Sequence, residues 1–197
     1  MSRGKSHSDR LVDAALKLTA KEDWARLNLA RIARAARLPL ADAHAACPTK
    51  AAVLGALSRR LDQAVLAEDD LVDQDEAVRD RLFDVAMRRF DAMLPQRAAI
   101  AKIYRDLRRD PLALAAMVPQ MRRSLIAMVE AAGLDSTGWR GALRVRAFGL
   151  AFARSFMVWL EEGDEGQAKT MAELDRRLRQ VEWILIGGSR HSEPGSV

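Results

Sequence analysis

The stretch Ile32 to Lys50, IARAARLPLADAHAACPTK, holds the side chains of this chain best suited to chemistry, and that chemistry is anion binding. Thr49 is a good helix cap, and a lysine beside a capped helix start suits a phosphate, because the ammonium, the free amides and the helix dipole all favour an anion. Arg31 and Arg34 stand three residues apart and share one helix face. They either reach phosphates or form an ordinary solvated surface. Asp42 can accept a hydrogen bond from a cytosine amino group, although phosphates repel its charge. His44 can meet a phosphate or a base, or simply fill a structural slot.

Nothing comparable points to catalysis. His7, His44 and His191 lie apart from the carboxylate-rich regions, and no HExxH, GxSxG or glycine-rich phosphate loop occurs. Asp42 and His44 are two residues apart, so on a helix they point in different directions. Cys47 is the lone cysteine, which excludes an internal disulfide and leaves no CxxC pair. No catalytic residue, metal or cofactor is expected, and the chain is not expected to be an enzyme. MSRGKSHSDR has no apolar core and is not a signal peptide, so a reducing cytoplasm fits best.

The elements that must position these residues are helices. Hydrophobic residues make up 49% of the 197 residues and aromatics 5%, with few glycines and prolines, which favours an all-α fold. Ser8 is expected to cap a first helix with Leu11, Ala14, Ala15 and Leu18 on its apolar stripe, running to about Ala20. Asn28 caps a second, and Pro39 starts a third that ends by Ala46 because Pro48 disfavours helix at Cys47. Thr49 caps a fourth. Two short helices around a tight turn, followed by another capped start, are the outline of a helix-turn-helix.

Beyond the acidic segment AEDDLVDQDE, Leu82, Phe83, Ala86, Met87, Phe90 and Met93 mark a helix ending at Pro95. RAAIAKIYRDLRRD forms the next, and a longer one runs to Gly133 with a bend expected at Pro119. Leu143 to Leu160 is apolar nearly all round and must be covered on several sides. It is too short for a membrane span and carries Arg154 in its middle. After EEGDEG, Met171, Leu174, Leu178, Val181 and Leu185 follow spacings of three and four. Two such helices suit a bundle, within the chain or shared with a second copy.

The segment LVDAALKLTAKEDWARLNLARIARAARLPLADAHAACPTKAAVLGAL resembles the N-terminal domain of the tetracycline-repressor (TetR) family of one-component transcriptional regulators. The likeness rests on the AAL helix, Trp24, the IARAA helix and the Pro-Thr-Lys start of helix four, about a quarter of the chain. It implies an all-helical homodimer of about nine helices, with a DNA-binding head and a body that holds a small ligand. On this resemblance Arg31, Arg34, Thr49 and Lys50 match backbone-gripping positions, and Arg37, Asp42 and His44 complete the expected DNA-binding set. Helix three departs from the family pattern: Ala41, Asp42 and His44 replace a small residue, a Thr and a Tyr, Cys47 replaces Phe, and Arg37 stands where Gly is common in the turn. Backbone contacts position while base contacts specify, so DNA affinity with atypical sequence reading is expected. LFDVAMRRFDAMLPQRAAI and VWLEEGDEGQAKTMAELDRRLRQVEWI look like the isoprenoid-binding accessory family of ubiquinone biosynthesis, which is similar in fold. That likeness implies an alternative: a lipid-binding protein on the same fold without DNA binding.

Charge supports a nucleic-acid partner, because Met1 to Leu66 holds twelve lysines and arginines against six acids, whereas Ala67 to Val197 holds twenty against twenty-one. The expected domains are residues 1–50 for the head, 51–67 for a connecting helix, 68–188 for ligand binding and dimerisation, and 189–197 for a disordered tail. Met87, Phe90, Met121, Met128, Phe152 and Phe156 are the expected lining of an apolar ligand or lipid site, or else ordinary core. Arg154 joins that set as a guanidinium that must pair internally, face the cavity or face the dimer seam. The expected partners are duplex DNA, an apolar ligand and a second copy, with no stable membrane span.

Overall fold

The computed structural model describes residues 5–67, 75–163 and 166–186. Among them are nine α-helices and no strand. Most of AEDDLVDQDE, part of the EEGDEG break and the expected tail with His191 lie outside the described residues. The chain divides into two compact units, the first drawn from residues 1–69 and 88–124, the second from 70–87 and 125–197.

In the first unit, α1 spans His7–Lys21 and is capped by Ser6, whose hydroxyl accepts from the amide of Asp9 at 3.1 Å. Ser8, the expected cap, lies inside the first turn, where its backbone is already helical. Leu11, Ala14 and Ala15 are buried as their spacing requires, joined by Val12 and Thr19, while Leu18 is half-buried. A single 3-10 turn, Trp24–Arg26, leads to α2, Leu29–Ala35, with Asn28 accepting from the amide of Arg31 at 2.9 Å. α3 is Leu40–Ala46, and α4 is Lys50–Leu66, with Thr49 accepting from the amide of Ala52 at 3.0 Å. α1 packs on α2, α3 and α4, and Leu11, Ile32, Ala43, Cys47 and Val53 are at most 1% exposed.

α5 (Val78–Met93), α6 (Arg97–Leu107) and α7 (Pro111–Ala131) follow. α6 packs on α1 and on the Trp24 turn. α7 continues through Pro119, which removes one backbone donor without ending the helix. Inside this unit Arg89 of α5 pairs with Asp62 of α4, and Ser124 of α7 donates to the same carboxylate oxygen at 2.5 Å. Arg89 also donates to the hydroxyl of Ser58 at 3.2 Å. Burial pulls its pKa down from the usual guanidinium value, with Asp62 opposing that shift.

The second unit is dominated by an antiparallel pair, α8 (Gly138–Glu161) and α9 (Ala168–Leu185). The guanidinium of Arg144, near the start of α8, donates to the carbonyl of Leu185 at the end of α9. Phe148, Trp159, Leu174, Leu178 and Leu185 are fully buried. Gly141 is obligatory, because a Cβ there would stand 2.1 Å from the carbonyl carbon of Ser136. Within this chain α8 is not covered all round: Trp139, Leu143 and Leu150 stay exposed, as do Met171 and Trp183 of α9.

Candidate nucleic-acid interface

The α2-turn-α3 corner is fixed by backbone chemistry. Arg37 adopts φ 55°, the left-handed region that favours glycine, and its amide bonds to the carbonyl of Arg34. The amide of Leu38 closes the turn onto Ala33. From α1, Arg10 reaches over and donates to the carbonyls of Ala36 at 2.8 Å and Arg37 at 3.0 Å, satisfying groups that the end of α2 leaves open. Extended Cys47, ahead of Pro48, then stops α3.

This corner sets the outward face of α3. Ala43 and Cys47 turn into the core, and burial pushes the Cys47 thiol pKa up. Leu40, Ala41, Asp42, His44 and Ala45 are exposed. Such a face offers methyl groups, one carboxylate and one imidazole to a partner, and few hydrogen-bond donors.

The cations fare differently from one another. Arg34 and Arg37 are exposed, and neither guanidinium has an ion-pair or hydrogen-bond partner among the described residues. Arg31 is exposed but pairs with Glu22 through two contacts of 2.9 Å. Lys50 is half-buried: its ammonium donates to the carbonyl of Trp24 at 2.9 Å and lies 5.0 Å from the centre of that indole ring. Burial lowers the pKa of Lys50, while Asp106 and Asp110 act in the other direction. Asp106 also accepts from the amide of Ala25 at 2.9 Å, and Lys102 donates to the carbonyl of Ala20, so α6 holds the Trp24 turn from both sides. Glu22, Arg10 and Asp106 were invisible to sequence periodicity, because they act across 9, 26 and 81 positions of chain.

The expected ligand-lining residues are divided between the two units. Phe90 and Met121 belong to the first unit, the former fully buried and the latter 51% exposed. Met87, Met128, Phe152, Arg154 and Phe156 belong to the second. There Phe148 and Phe152 lie 6.2 Å apart, and Phe156 stacks on Trp159 at 5.7 Å, all on one side of α8. Met128 is buried, and Met87 is half-buried. Arg154 is exposed on the other side of the helix, in the stripe of Leu143 and Leu150. Among the described residues no three His, Cys, Asp or Glu side chains are grouped to hold a metal ion.

Solved structures share this fold. A TetR transcriptional regulator from Nitrosomonas europaea ATCC 19718 superposes with a TM-score of 0.70 at 22% identity, over 89% of this chain and 98% of the other. The chain has the fold of the TetR-family transcriptional regulators. A TetR regulator from Rhodococcus sp. RHA1 gives a TM-score of 0.60 at 16% identity, over 96% of this chain and 100% of that one. One from Streptomyces coelicolor gives 0.57 at 17%, over 95% and 92%. By sequence, the chain matches no family profile and no curated protein. The TetR fold therefore extends well beyond the quarter of the chain that carries the sequence likeness.

Proposed function

We propose that this chain is a TetR-like one-component transcriptional regulator, a repressor, that holds duplex DNA mainly by its sugar-phosphate backbone. The observation that carries this reading is the pair Arg34 and Arg37, exposed and without partners among the described residues, beside the outward face of α3. In a helix-turn-helix, that helix lies in the major groove while its neighbours grip phosphates. Arg34, Arg37 and the Thr49-capped start of α4 supply the grip. Arg31 contributes less because Glu22 already pairs with it. Base reading falls to Asp42 and His44 among alanines, so specificity is low for the affinity.

The protein acts as a homodimer through α8 and α9, whose exposed Trp139, Leu143, Leu150 and Trp183 form a large apolar surface on this unit. Arg154 belongs to that seam. An apolar ligand binds beside Phe152 and Phe156, and its binding changes the separation of the two heads and hence their fit to half-sites about one helical turn apart.

Fluorescence anisotropy with a duplex at increasing salt tests the reading. Affinity falls steeply with salt, and the double variant Arg34→Ala, Arg37→Ala flattens that slope by roughly two phosphate contacts. No binding at low salt, or an unchanged slope in the variant, removes the proposal.

A further inference from the structure

Among the described residues, α7 is the helix whose length and apolar composition would suffice to cross a bilayer, yet only 17% of its most apolar window is buried. Its two halves differ. In the C-terminal half Ser124, Met128 and Val129 are buried, and Ser124 is tied to Asp62. In the N-terminal half Leu112 is 84% exposed and Val118 56%, with Ala115, Ala116 and Pro119 exposed on the same side, whereas Met121 stands three residues from Ser124 and shares its side of the helix.

Arginine pairs bracket this apolar flank. Arg108 and Arg109 precede it, Arg122 and Arg123 close it, and all four are exposed. Arg108 lies 6.0 Å from the ring centre of Tyr104, while Arg109, Arg122 and Arg123 meet no acid among the described residues. Asp110, the nearest carboxylate in sequence, accepts from the amide of Ala113 at 3.0 Å and caps α7. Arg108 and Arg109 lie in the turn before α7, and Arg122 and Arg123 stand about three helical turns into it.

Charge decides what covers this flank. A second copy laid against it, parallel or antiparallel, sets an arginine pair against another arginine pair, and like charges oppose that contact. Duplex DNA would satisfy the arginines but gain nothing from Leu112 and Val118 between them. An anionic lipid surface satisfies both, with the apolar side chains in the boundary region and the guanidinium groups reaching the headgroup phosphates. The hydrogen bond of Ser124 to Asp62 keeps the opposite side of the helix on the protein, so the contact is lateral and does not span the bilayer. We propose that the exposed flank of α7, from Leu112 to Arg123, docks on a membrane surface rich in anionic lipid. This inference does not depend on the DNA-binding reading.

Co-sedimentation of the full chain with vesicles tests it. The wild type binds vesicles of phosphatidylglycerol and phosphatidylethanolamine and not vesicles of phosphatidylcholine alone. The neutral variant Leu112→Gln, Val118→Gln, which alters only exposed positions on the outward side, lowers binding at least about tenfold with its thermal midpoint unchanged. Arg122→Ala with Arg123→Ala lowers it by a similar factor at low salt. Equal binding to phosphatidylcholine, or undiminished binding by the glutamine variant, overturns the proposal. So does a fall in sedimentation-velocity mass in the glutamine variant, which would assign the flank to a second copy.

Discussion

The ammonium of Lys50 donates to the carbonyl of Trp24 at 2.9 Å and rests over the indole of the same residue. A side chain at the start of α4 that suits a phosphate is thus engaged within its own domain. Lysine still has two donors left, but moving outward to a phosphate forfeits the carbonyl and the ring. Lys50→Ala is therefore expected to lower the free energy of unfolding by about 1–2 kcal/mol, from one hydrogen bond and one cation–π contact. DNA affinity falls less than in Arg34→Ala. Urea unfolding and anisotropy measured together separate the two effects; a large loss of affinity with unchanged stability would return Lys50 to the phosphate grip.

Arg37 couples strain to charge. Its left-handed backbone disfavours any residue with a Cβ, and its exposed guanidinium is available to a phosphate. Arg37→Gly relieves the strain but frees the unfolded chain, leaving a net gain of about 0.5–1 kcal/mol. It also removes one phosphate contact, reducing the logarithmic salt slope of DNA binding by about 0.9. Stability and affinity are expected to move in opposite directions. A destabilised variant would show that the turn tolerates arginine without cost.

The Asp62 and Arg89 pair is an arrangement in which partners matter more than charges. Arg89 is 6% exposed, and its removal leaves the half-buried carboxylate of Asp62 with the Ser124 hydroxyl in place of a cation. Arg89→Met is expected to cost about 3–5 kcal/mol in urea unfolding. The double variant Asp62→Leu, Arg89→Met recovers most of that loss, because two apolar side chains replace both charges together. Additive losses in the double-mutant cycle would mean that the two side chains do not act as a pair.

The sequence makes plain those features that depend on neighbours in the chain. Asn28 and Thr49 cap where their positions require, Pro39 and Pro48 bound α3, and the spacing of Leu174, Leu178 and Leu185 marks the buried face of α9. Ser6 replaced Ser8 because either serine can cap a helix start and only the backbone turn chooses between them. The sequence offers the candidate site as a set of residues but says nothing of whether each cation is engaged. Whether a cation is free depends on Glu22 for Arg31 and on Trp24 and α6 for Lys50, contacts that no local period encodes. Arg154 was readable as an anomaly on an apolar helix, yet its direction came only from the packing of Phe148 and Trp159 on the other side.

Glu162 gives the chain a pH dependence of predictable sign. Its carboxylate accepts from the amides of Lys169 at 2.7 Å and Thr170 at 3.1 Å, and from the Thr170 hydroxyl at 2.5 Å, capping the start of α9. Burial alone would raise its pKa, but these hydrogen bonds outweigh that and hold it below the ordinary glutamate value. The folded protein thus takes up this proton less readily than the unfolded chain. The stabilisation is complete above the unfolded value of about 4.3 and drains away as pH falls through the lower folded one. Glu162→Gln lacks the charge at every pH, so its deficit relative to wild type is expected to be largest near neutrality and to shrink as pH drops below about 4. Urea midpoints of both proteins at several pH values check this, and a deficit that stays constant across that range would show that the carboxylate makes no charge-dependent contribution.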